Sequence, residues 1–513
     1  MSRSNGPIDH RSITGADFLQ LDRADAPAGG LTDWLARQLR SAVSDGRLPA
    51  GSRLPASRVL AAELRVSRGV VTEAYQRLIE DGQLAGHGRA GTRVVAAPPP
   101  ARSGQAPAGA TAAAAASDGP AGRPPLAAAR DMFPSAPGAE AFESLRGAPC
   151  RIDLSPGVPD LAAFPRTAWL RAERTALGAI SPASFNYSDP RGAPAFRVAV
   201  ANWLARNRGI MVSPEEVVIV AGVAQALTLL ARILRRSGLT AVAVEDPGSL
   251  GTRQQLQSWG LDTPPVPVDA RGLRIDELRA SGAAAVMLTP AHQFPTGVVL
   301  DGGRRRELRD WASDGGLIIE DDYDAEHRYD RPPVPALRSA LPGQVCYTGS
   351  VSKLLAPALR TGWLLVPPGL HDAVVAAKRE ADLGNAILPQ LVLAELMASG
   401  ELERHLRLLR KRHVRRRDSM ISAIAAHLPQ ARVHGAAAGL HLTLTFDALP
   451  SRTGLDVDLA AAALRRGVKV QPLSWHSQRP HQPGLVLGYA ARTPAEINEG
   501  IAVIGSVLRH QPR

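Results

Sequence analysis

Residues 348–360 read TGSVSKLLAPALR and directly follow a short apolar run of the kind that forms a buried strand. Ser350 and Ser352 precede Lys353, and Arg360 follows seven residues after that lysine. The chain contains lysine only at Lys353, Lys378, Lys411 and Lys469. A lysine at a strand end, beside hydroxyl groups and an arginine, is typical of one that forms a Schiff base with an aldehyde.

Short apolar runs recur on both sides of this stretch and alternate with amphipathic helical patterns. The strand-like runs lie at residues 217–220, 240–244, 285–288, 317–320 and 345–347. This alternation predicts an α/β fold with a mostly parallel sheet covered by helices on both faces. Because ligands of such sheets bind at the carboxyl ends of the strands, we expect the functional side chains directly after these runs.

Three further polar clusters follow the apolar runs. Residues 221–225 (AGVAQ) form a glycine turn into a helix, where free N–H groups favour a phosphate. Residues 289–297 read TPAHQFPTG, and residues 320–324 read EDDYD. With Lys353 the clusters supply what pyridoxal phosphate (PLP) requires: an amine for the aldehyde, a carboxylate for the pyridinium nitrogen, a donor for the phenolic oxygen, and N–H, hydroxyl and guanidinium groups for the phosphate.

The order of these motifs resembles fold-type I aminotransferases from about residue 152 to residue 508. The resemblance implies that Lys353 carries the cofactor, that Asp321 pairs with its ring nitrogen and that Tyr323 contacts its phenolic oxygen. It also implies a phosphate site made by Ser350, Ser352, Arg360 and the amides of Val223 and Ala224. Tyr187, within NYSDPRG, matches a tyrosine that reaches the phosphate across the interface of a head-to-tail homodimer.

Two positions depart from the aminotransferase pattern. Phe294 stands where those enzymes have an asparagine that bonds the cofactor, and we expect His292 or Gln293 to compensate. The C-terminal strand GLVLGY, at residues 484–489, lacks the arginine that binds a substrate carboxylate, and Arg492 follows just beyond it. Without a guanidinium in place an amino-acid carboxylate is poorly neutralised, which weakens the case for transamination.

The N-terminal part, residues 31–94, has a different pattern. Two helical stretches are followed by a third that Ser67 is placed to cap, and two short strand-like runs then flank a glycine-rich turn. This order predicts a winged helix-turn-helix. Ten arginines stand against five acidic residues between Trp34 and Arg93, which favours contact with nucleic acid over a solvated helical adaptor.

The same part resembles the DNA-binding domain of GntR-family regulators. The motifs that carry the resemblance are GRLPAGSRLPASR, the turn VSR and the helix AYQRL. It implies base and phosphate contacts at the start of the second and third helices and in the wing. The predicted DNA-binding residues are Arg58, Ser67, Arg68, Thr72, His87, Gly88 and Arg89.

Composition sets the remaining boundaries. Residues 1–30 are predicted to be a flexible N-terminus, and residues 95–150, rich in Ala, Pro, Gly and Ser, an extended linker. A GntR-like domain, a linker and an aminotransferase-like domain at 151–513 resemble the MocR subfamily of bacterial regulators. TPAHQFPTG and EDDYDAEHRYD match the versions of these motifs found in that subfamily.

The 513 residues carry a formal net charge of +12, which suits an acidic partner such as promoter DNA. Cys150 and Cys346 are too few for a disulfide framework or a cysteine-rich zinc site, and we predict no metal site. Neither a secretory signal nor an apolar run long enough for a membrane span is recognisable. We therefore expect a soluble cytoplasmic protein.

Three functions remain open at this level. The first is a regulator whose effector is PLP and which controls vitamin B6 biosynthesis, and the missing arginine favours it. The second is a regulator that senses an amino compound through an external aldimine, and the third is an active aminotransferase with a DNA-binding appendage. A basic helix at residues 404–417 is either an ordinary solvated helix or an auxiliary contact to the DNA backbone.

Overall fold

The computed structural model describes residues 26, 30–44, 48, 51–80, 83–86, 91–95, 126–329, 334–446 and 454–510. The chain divides into two units, Met1–Asp118 and Gly119–Arg513. No helix within the described ranges combines the length and the apolar composition needed to cross a bilayer.

Three helices and a short hairpin form the described part of the N-terminal unit. The elements are α1 (Leu31–Ser44), α2 (Ser57–Glu63), α3 (Arg68–Glu80), β1 (Leu84–Gly86) and β2 (Thr92–Val94). Leu35, Leu60 and Val71 are buried in a common core. The Ser67 hydroxyl accepts a hydrogen bond from the N–H of Val70 (3.4 Å) and caps α3, and β1 pairs antiparallel with β2. The predicted winged helix-turn-helix is confirmed.

Helices and strands alternate through the C-terminal unit. Its helices are α4 (Leu126–Asp131), α5 (Ala141–Gly147), α6 (Arg166–Ala179), α7 (Pro194–Arg208), α8 (Val223–Arg236), α9 (Leu250–Ser258), α10 (Ile275–Ala280), α11 (Gly302–Ser313), α12 (Pro368–Asp382), α13 (Ile387–Ala398), α14 (Glu401–His427), α15 (Leu455–Arg465) and α16 (Pro494–Arg509). Its strands are β3 (Ile152–Asp153), β4 (Val218–Val220), β5 (Ala243–Asp246), β6 (Pro265–Asp269), β7 (Gly272–Leu273), β8 (Ala285–Leu288), β9 (Leu317–Asp322), β10 (Val345–Ser350), β11 (Gly362–Leu365), β12 (Arg432–His434), β13 (His441–Thr445), β14 (Val468–Lys469), β15 (Gln471–Pro472) and β16 (Gly484–Gly488).

The large sheet has the strand order β4-β11-β10-β9-β8-β5-β6-β7. Strands β10, β9, β8, β5 and β6 run parallel, whereas β11 is antiparallel to both β4 and β10. Strand β4 therefore runs in the same direction as β10. The predicted mostly parallel α/β sheet is confirmed. Strand β11 was not predicted from the sequence, because no helical pattern separates its GWLL run from β10.

Both faces of the large sheet are covered. Val218 and Val220 of β4 pack with Leu230 of α8 on one face, and Ile219 packs with Trp203 of α7 on the other. A strand buried on both faces needs apolar residues at every position, which explains its uninterrupted apolar sequence. The functional side chains are therefore expected at the carboxyl ends of the strands rather than on either covered face.

A smaller sheet, with the order β12-β13-β16-β15, packs against α14, α15 and α16. Leu442 of β13 and Leu487 of β16 face this core together with Ile501 of α16. Because side chains alternate along a strand, Thr443 and Val486 belong to the opposite face of the sheet. That face is the one that meets the site described below.

The linker predicted at residues 95–150 extends too far toward the C-terminus, because its last part is folded. Residues 126–150 contain α4 and α5, and Phe133 and Leu145 are buried in the core of the C-terminal unit. The indole N–H of Trp475 donates to the carbonyl of Pro134 (3.0 Å). The expectation was wrong for these residues because their abundant alanine and proline conceal a few large apolar side chains that pack. Residues 96–125 lie outside the described part of the chain.

Candidate cofactor site and DNA-binding surface

Backbone pairing brings the predicted phosphate-binding segments together. Gly362, the first residue of β11, pairs with Val220 at the end of β4 and with Ser350 at the end of β10. The Ser350 hydroxyl accepts a hydrogen bond from the N–H of Ser352 (3.4 Å). The turn after β10 and the turn into α8 therefore lie at the same end of the sheet, on either side of the start of β11.

A glycine with left-handed backbone geometry directly precedes the start of α8. Gly222 has a φ of +79°, and a Cβ there would lie 3.4 Å from the guanidinium nitrogens of Arg360. Arg360 donates to the carbonyl of Ala221 (2.6 Å), which holds it across the turn. The N–H groups of Val223 and Ala224 belong to the first turn of α8, where intrahelical acceptors are missing. Such a cradle of N–H and guanidinium donors suits a phosphate.

Lys353 follows β10 and reaches across to the loop after β3. Its Nζ atom donates a hydrogen bond to the carbonyl oxygen of Gly157. Burial lowers the pKa of Lys353, while the carboxylates of Asp324 and Asp321 act in the opposite direction. A lowered pKa increases the fraction of neutral amine, which is the form that attacks an aldehyde.

Two neighbouring carboxylates at the end of β9 have different surroundings. Asp321 pairs in register with Thr348, whose hydroxyl donates to it (3.4 Å), and burial followed by the charge of Asp322 raises the pKa of Asp321 to about 7. Asp322 instead forms a buried ion pair with Arg208 (2.5 Å) and accepts from the hydroxyl of Tyr347 (2.5 Å). Of the two, Asp321 is the one whose charge acts on Lys353.

Tyr323 belongs to a cluster with His292 and Asp324. The Nδ1 atom of His292 lies 3.0 Å from the Tyr323 hydroxyl and 2.8 Å from a carboxylate oxygen of Asp324. Asp324 thereby fixes the orientation of the imidazole ring. The Nε2 atom of His292 is buried and has no hydrogen-bond partner within the described residues. Phe294 packs edge-on against Tyr323, with ring centroids 6.2 Å apart.

The structure brings His292, and not Gln293, to this cluster. The side-chain NH₂ of Gln293 donates to the carbonyls of Pro247 (2.8 Å) and Phe294 (2.6 Å). Its side-chain oxygen accepts from the N–H (3.1 Å) and the hydroxyl (2.6 Å) of Thr296. The amide of Gln293 therefore holds the loop at 289–297 in shape.

The smaller sheet presents neutral side chains to the same loop. The carbonyl of Pro295 accepts from the Thr443 hydroxyl (2.5 Å) and lies 3.1 Å from Nε2 of His441. Val486 of β16 pairs in register with Thr443 and shares its face. Arg492 donates instead to a backbone carbonyl of β3 (3.1 Å). Strand β16 thus presents no guanidinium on this face.

Several residues that were not predicted from the sequence surround the cluster. They are Gly157, Asp324, His327, His441 and His476. The Nε2 atom of His327 lies 3.1 Å from the carbonyl of Lys353, and the His476 ring packs against Phe294 at 5.0 Å. Burial lowers the pKa of His327, and it lowers that of His476 to about 3, so both rings are neutral at pH 7. Of these residues, His327 could have been suspected from the sequence, because it ends the motif EDDYDAEH.

The Tyr187 side chain does not contact Lys353 or the cluster of Tyr323, His292 and Asp324 in its own chain. Its side chain is 87% exposed, and Phe185 nearby is 63% exposed. The N–H of Tyr187 donates to the side chain of Asn186 (2.8 Å). An exposed aromatic pair on one segment leaves the predicted contact with a second subunit sterically open.

The predicted DNA-binding residues of the described N-terminal unit are all accessible. Arg58 lies in the first turn of α2, Ser67 and Arg68 at the start of α3, and Thr72 one turn later; all four are exposed. The Nε atom of Arg68 lies 3.4 Å from the Ser57 hydroxyl, so α2 and α3 present these groups together. His87, Gly88 and Arg89 lie outside the described residues.

Comparison with known proteins accounts for both units. Residues 31–94 match the gntR family of bacterial regulatory proteins, and residues 151–504 match the aminotransferase class I and II family. The probable rhizopine catabolism regulatory protein MocR of Rhizobium meliloti is 33% identical over 498 residues, which is 96% of each chain. The chain is a GntR-family regulator of the MocR type.

Two other similar proteins, one a regulator and one an enzyme, show which fold the C-terminal unit has. The HTH-type pyridoxine biosynthesis transcriptional regulator PdxR of Corynebacterium glutamicum is 31% identical over 481 residues, covering 92% of this chain and 95% of the relative. The crystal structure of Pyrococcus horikoshii kynurenine aminotransferase in complex with PMP is 25% identical with a TM-score of 0.64, covering 72% of this chain and 93% of the enzyme. The C-terminal unit of this MocR-type regulator therefore has the fold-type I aminotransferase architecture.

Proposed function

We propose that this MocR-type regulator binds PLP at Lys353 and that PLP is its effector, through which it controls vitamin B6 biosynthesis. When bound, PLP supplies an aldehyde that condenses with a primary amine and a phosphate that anchors it. The PdxR relative supports the choice of regulated genes, and the PMP complex of the enzyme neighbour supports the class of cofactor.

Each side chain of the site has a definite task in this proposal. Lys353, as the neutral amine, would hold the cofactor through its aldehyde, and Asp321 would accept a hydrogen bond from the protonated ring nitrogen. Tyr323, oriented by His292, would donate to the phenolic oxygen, the role that an asparagine at the position of Phe294 has in the enzymes. The phosphate would be held by Ser350, Ser352, Arg360 and the N–H groups of Val223 and Ala224.

The observation that carries the proposal is Val486 on the site-facing side of β16. An amino-acid substrate brings a carboxylate, which requires a guanidinium or an equivalent donor in a site that excludes water. Val486 and Thr443 provide none, and Arg492 is engaged with β3. The chain therefore binds the cofactor without a substrate-carboxylate partner, which suits a sensor rather than an aminotransferase.

A second subunit completes the site in this proposal. Tyr187 is exposed and matches a residue that reaches the phosphate of the other subunit, so PLP would tighten a head-to-tail homodimer. Two DNA-binding domains held by one dimer bind two half-sites far better than independent domains do. Such a regulator acts on the bacterial chromosome, in the cytoplasm.

The test is a titration of promoter DNA with the apo protein in the presence of PLP, of pyridoxal without the phosphate, and of a panel of amino acids. We expect PLP alone to change the affinity or the footprint. If an amino acid changes DNA binding and PLP does not, the effector is an amino compound. If a keto acid accumulates from an amino donor at a catalytic rate, the chain is an enzyme.

A further inference from the structure

Helix α14 carries eight basic residues between positions 404 and 417, and most of them are committed to the fold. Arg412 and Arg416 both lie 2.7 Å from Asp160. Arg410 donates to the carbonyl of Arg328 (2.9 Å), and Arg404 pairs with Glu401 (2.6 Å). These contacts fix the helix on the body of the C-terminal unit.

Arg417 is engaged as well. It pairs with Asp418 (2.9 Å), and its guanidinium lies 5.2 Å from the centroid of the Tyr329 ring. The acidic residues at the start of the helix are also neutralised, since Glu401 pairs with Arg171 (2.9 Å) and Glu403 with Arg206 (3.2 Å). Arg417 and both acidic residues at the start of α14 are therefore already engaged within the chain.

Three basic residues are left over, and they form a stripe. Arg407, Lys411 and Arg415 are exposed and have no ion pair or hydrogen bond to any part of the chain that the structure describes. They are four residues apart, so they stand on one face of α14 over about 12 Å. We call these three residues the α14 stripe.

The arrangement is unfavourable for an ordinary solvated helix. Solvated faces alternate acidic and basic residues four apart, because such pairs stabilise a helix by a few tenths of a kcal/mol, whereas like charges at this spacing destabilise it similarly. The α14 stripe contains two like-charge pairs in succession. Binding of a polyanion removes that repulsion.

We propose that the α14 stripe binds the phosphate backbone of duplex DNA, in addition to the winged helix-turn-helix. One DNA strand advances about 3.4 Å per phosphate, so about 12 Å of helix faces about three phosphates. The proposal rests on the DNA-binding part of the proposed function. It needs no base-specific contact, because three separate cations on one helix face carry charge and no sequence code.

The test is the salt dependence of binding by the full-length, PLP-loaded protein to a duplex of random sequence. The stripe variant is Arg407→Ala/Lys411→Ala/Arg415→Ala. The matched control is Arg174→Ala/Arg235→Ala/Arg306→Ala, which removes the same charge from exposed arginines on α6, α8 and α11. These arginines have no ion pair or hydrogen bond within the described part of the chain. Unchanged melting temperature and visible cofactor absorption establish that each variant is folded.

We expect the slope of log K against log salt to become shallower by about 2 to 3 units in the stripe variant and by less than about 1 unit in the control. Lys411→Glu alone should weaken binding more than Lys411→Ala. An unchanged slope in the stripe variant, or equal losses in both triple variants, overturns the proposal. Failure of the wild-type protein to bind any duplex would instead refute the proposed function, and this inference with it.

Discussion

The Nζ atom of Lys353 donates a hydrogen bond to the carbonyl oxygen of Gly157, which joins the end of β10 to the loop after β3. Gly157 has a φ of +79°, and a Cβ at this position would lie 3.2 Å from Nζ. Three residues later, Asp160 is held by Arg412 and Arg416 of α14. A ligand that engages the Lys353 amine therefore competes with a loop that is anchored to α14.

The first prediction concerns the lysine itself. Lys353→Ala should lose the visible absorption of the lysine-bound cofactor while keeping its fold, because burial lowers the pKa of this amine and makes it reactive. Borohydride reduction of the PLP-loaded wild-type protein, followed by peptide mapping, should place the label on the peptide that contains Lys353. A label mainly on Lys378, Lys411 or Lys469 would contradict the assignment.

Asp321→Asn should change stability and cofactor affinity in opposite directions. The pKa of Asp321 is raised to about 7, so its stabilising protonated form is lost as the pH rises through that value. The asparagine variant without cofactor should be more stable than the wild-type protein by about 1 to 3 kcal/mol at pH 8, with a smaller difference toward pH 4. Its PLP affinity should fall about tenfold or more, since a charge-assisted bond is lost.

Thermal unfolding of the two cofactor-free proteins at pH 5 and pH 8, together with PLP titrations, checks both parts. A variant that is less stable than the wild-type protein at pH 8 would show that Asp321 is a structural carboxylate. Equal PLP affinities would show that another group serves the ring nitrogen.

Asp322→Asn should destabilise the protein, in contrast to Asp321→Asn. Its partner Arg208 is buried and would be left without its counter-charge. Breaking a buried pair from one side costs about 3 to 5 kcal/mol. The exposed pair of Arg279 and Asp314 is the control, and Asp314→Asn should cost less than about 1 kcal/mol. Chemical denaturation measures the unfolding free energy of both variants. Similar losses of stability would show that the pair of Asp322 and Arg208 is worth no more than an exposed one.

Arg68→Ala and Arg58→Ala should separate base reading from backbone binding. Arg68 lies at the start of α3, the end of a recognition helix that meets base edges, so its loss should cost about 1 to 3 kcal/mol at the cognate site only. Arg58 lies at the start of α2. Its loss should weaken binding to DNA of every sequence and reduce the slope of log K against log salt by about 1. Equal effects of Arg68→Ala on cognate and random DNA would refute base reading.

Tyr187→Ala should weaken PLP binding and PLP-dependent dimerisation without lowering the stability of the subunit, because the side chain is 87% exposed. Met211→Ala is the matched control, since Met211 is 85% exposed and has no role in the proposed contact with the phosphate. Sedimentation velocity with and without PLP measures the dimer. A Tyr187 variant that dimerises and binds PLP as the wild-type protein does would exclude the intersubunit contact.

The sequence predicted the parts of the site that follow strands. Lys353 and Asp321 could be placed together because the carboxyl ends of parallel strands meet at one edge, whatever the details of packing. The carbonyl of Gly157 could not be predicted in the same way, since it comes from a loop 196 residues earlier and carries no side-chain signal. His441 likewise reaches the loop at Pro295 from the smaller sheet.

Two expectations depended on details that composition does not contain. The loop at 289–297 offers both His292 and Gln293, and only the hydrogen bonds of the folded loop show that the Gln293 amide is used internally. The stretch at 126–150 has the composition of a linker, but Phe133 and Leu145 find partners in the core. A few large apolar residues are enough to fold such a stretch when the rest of the domain offers a core against which they pack.

The pairing of Gly362 with both Val220 and Ser350 has a consequence for how such a receptor is used. Backbone pairing among these three neighbouring strands aligns the turns that carry Ser350, Arg360 and the first N–H groups of α8, which are the proposed phosphate donors. If PLP is the effector, we therefore expect the vacant regulator to stay folded, so that both the empty and the occupied protein act on DNA.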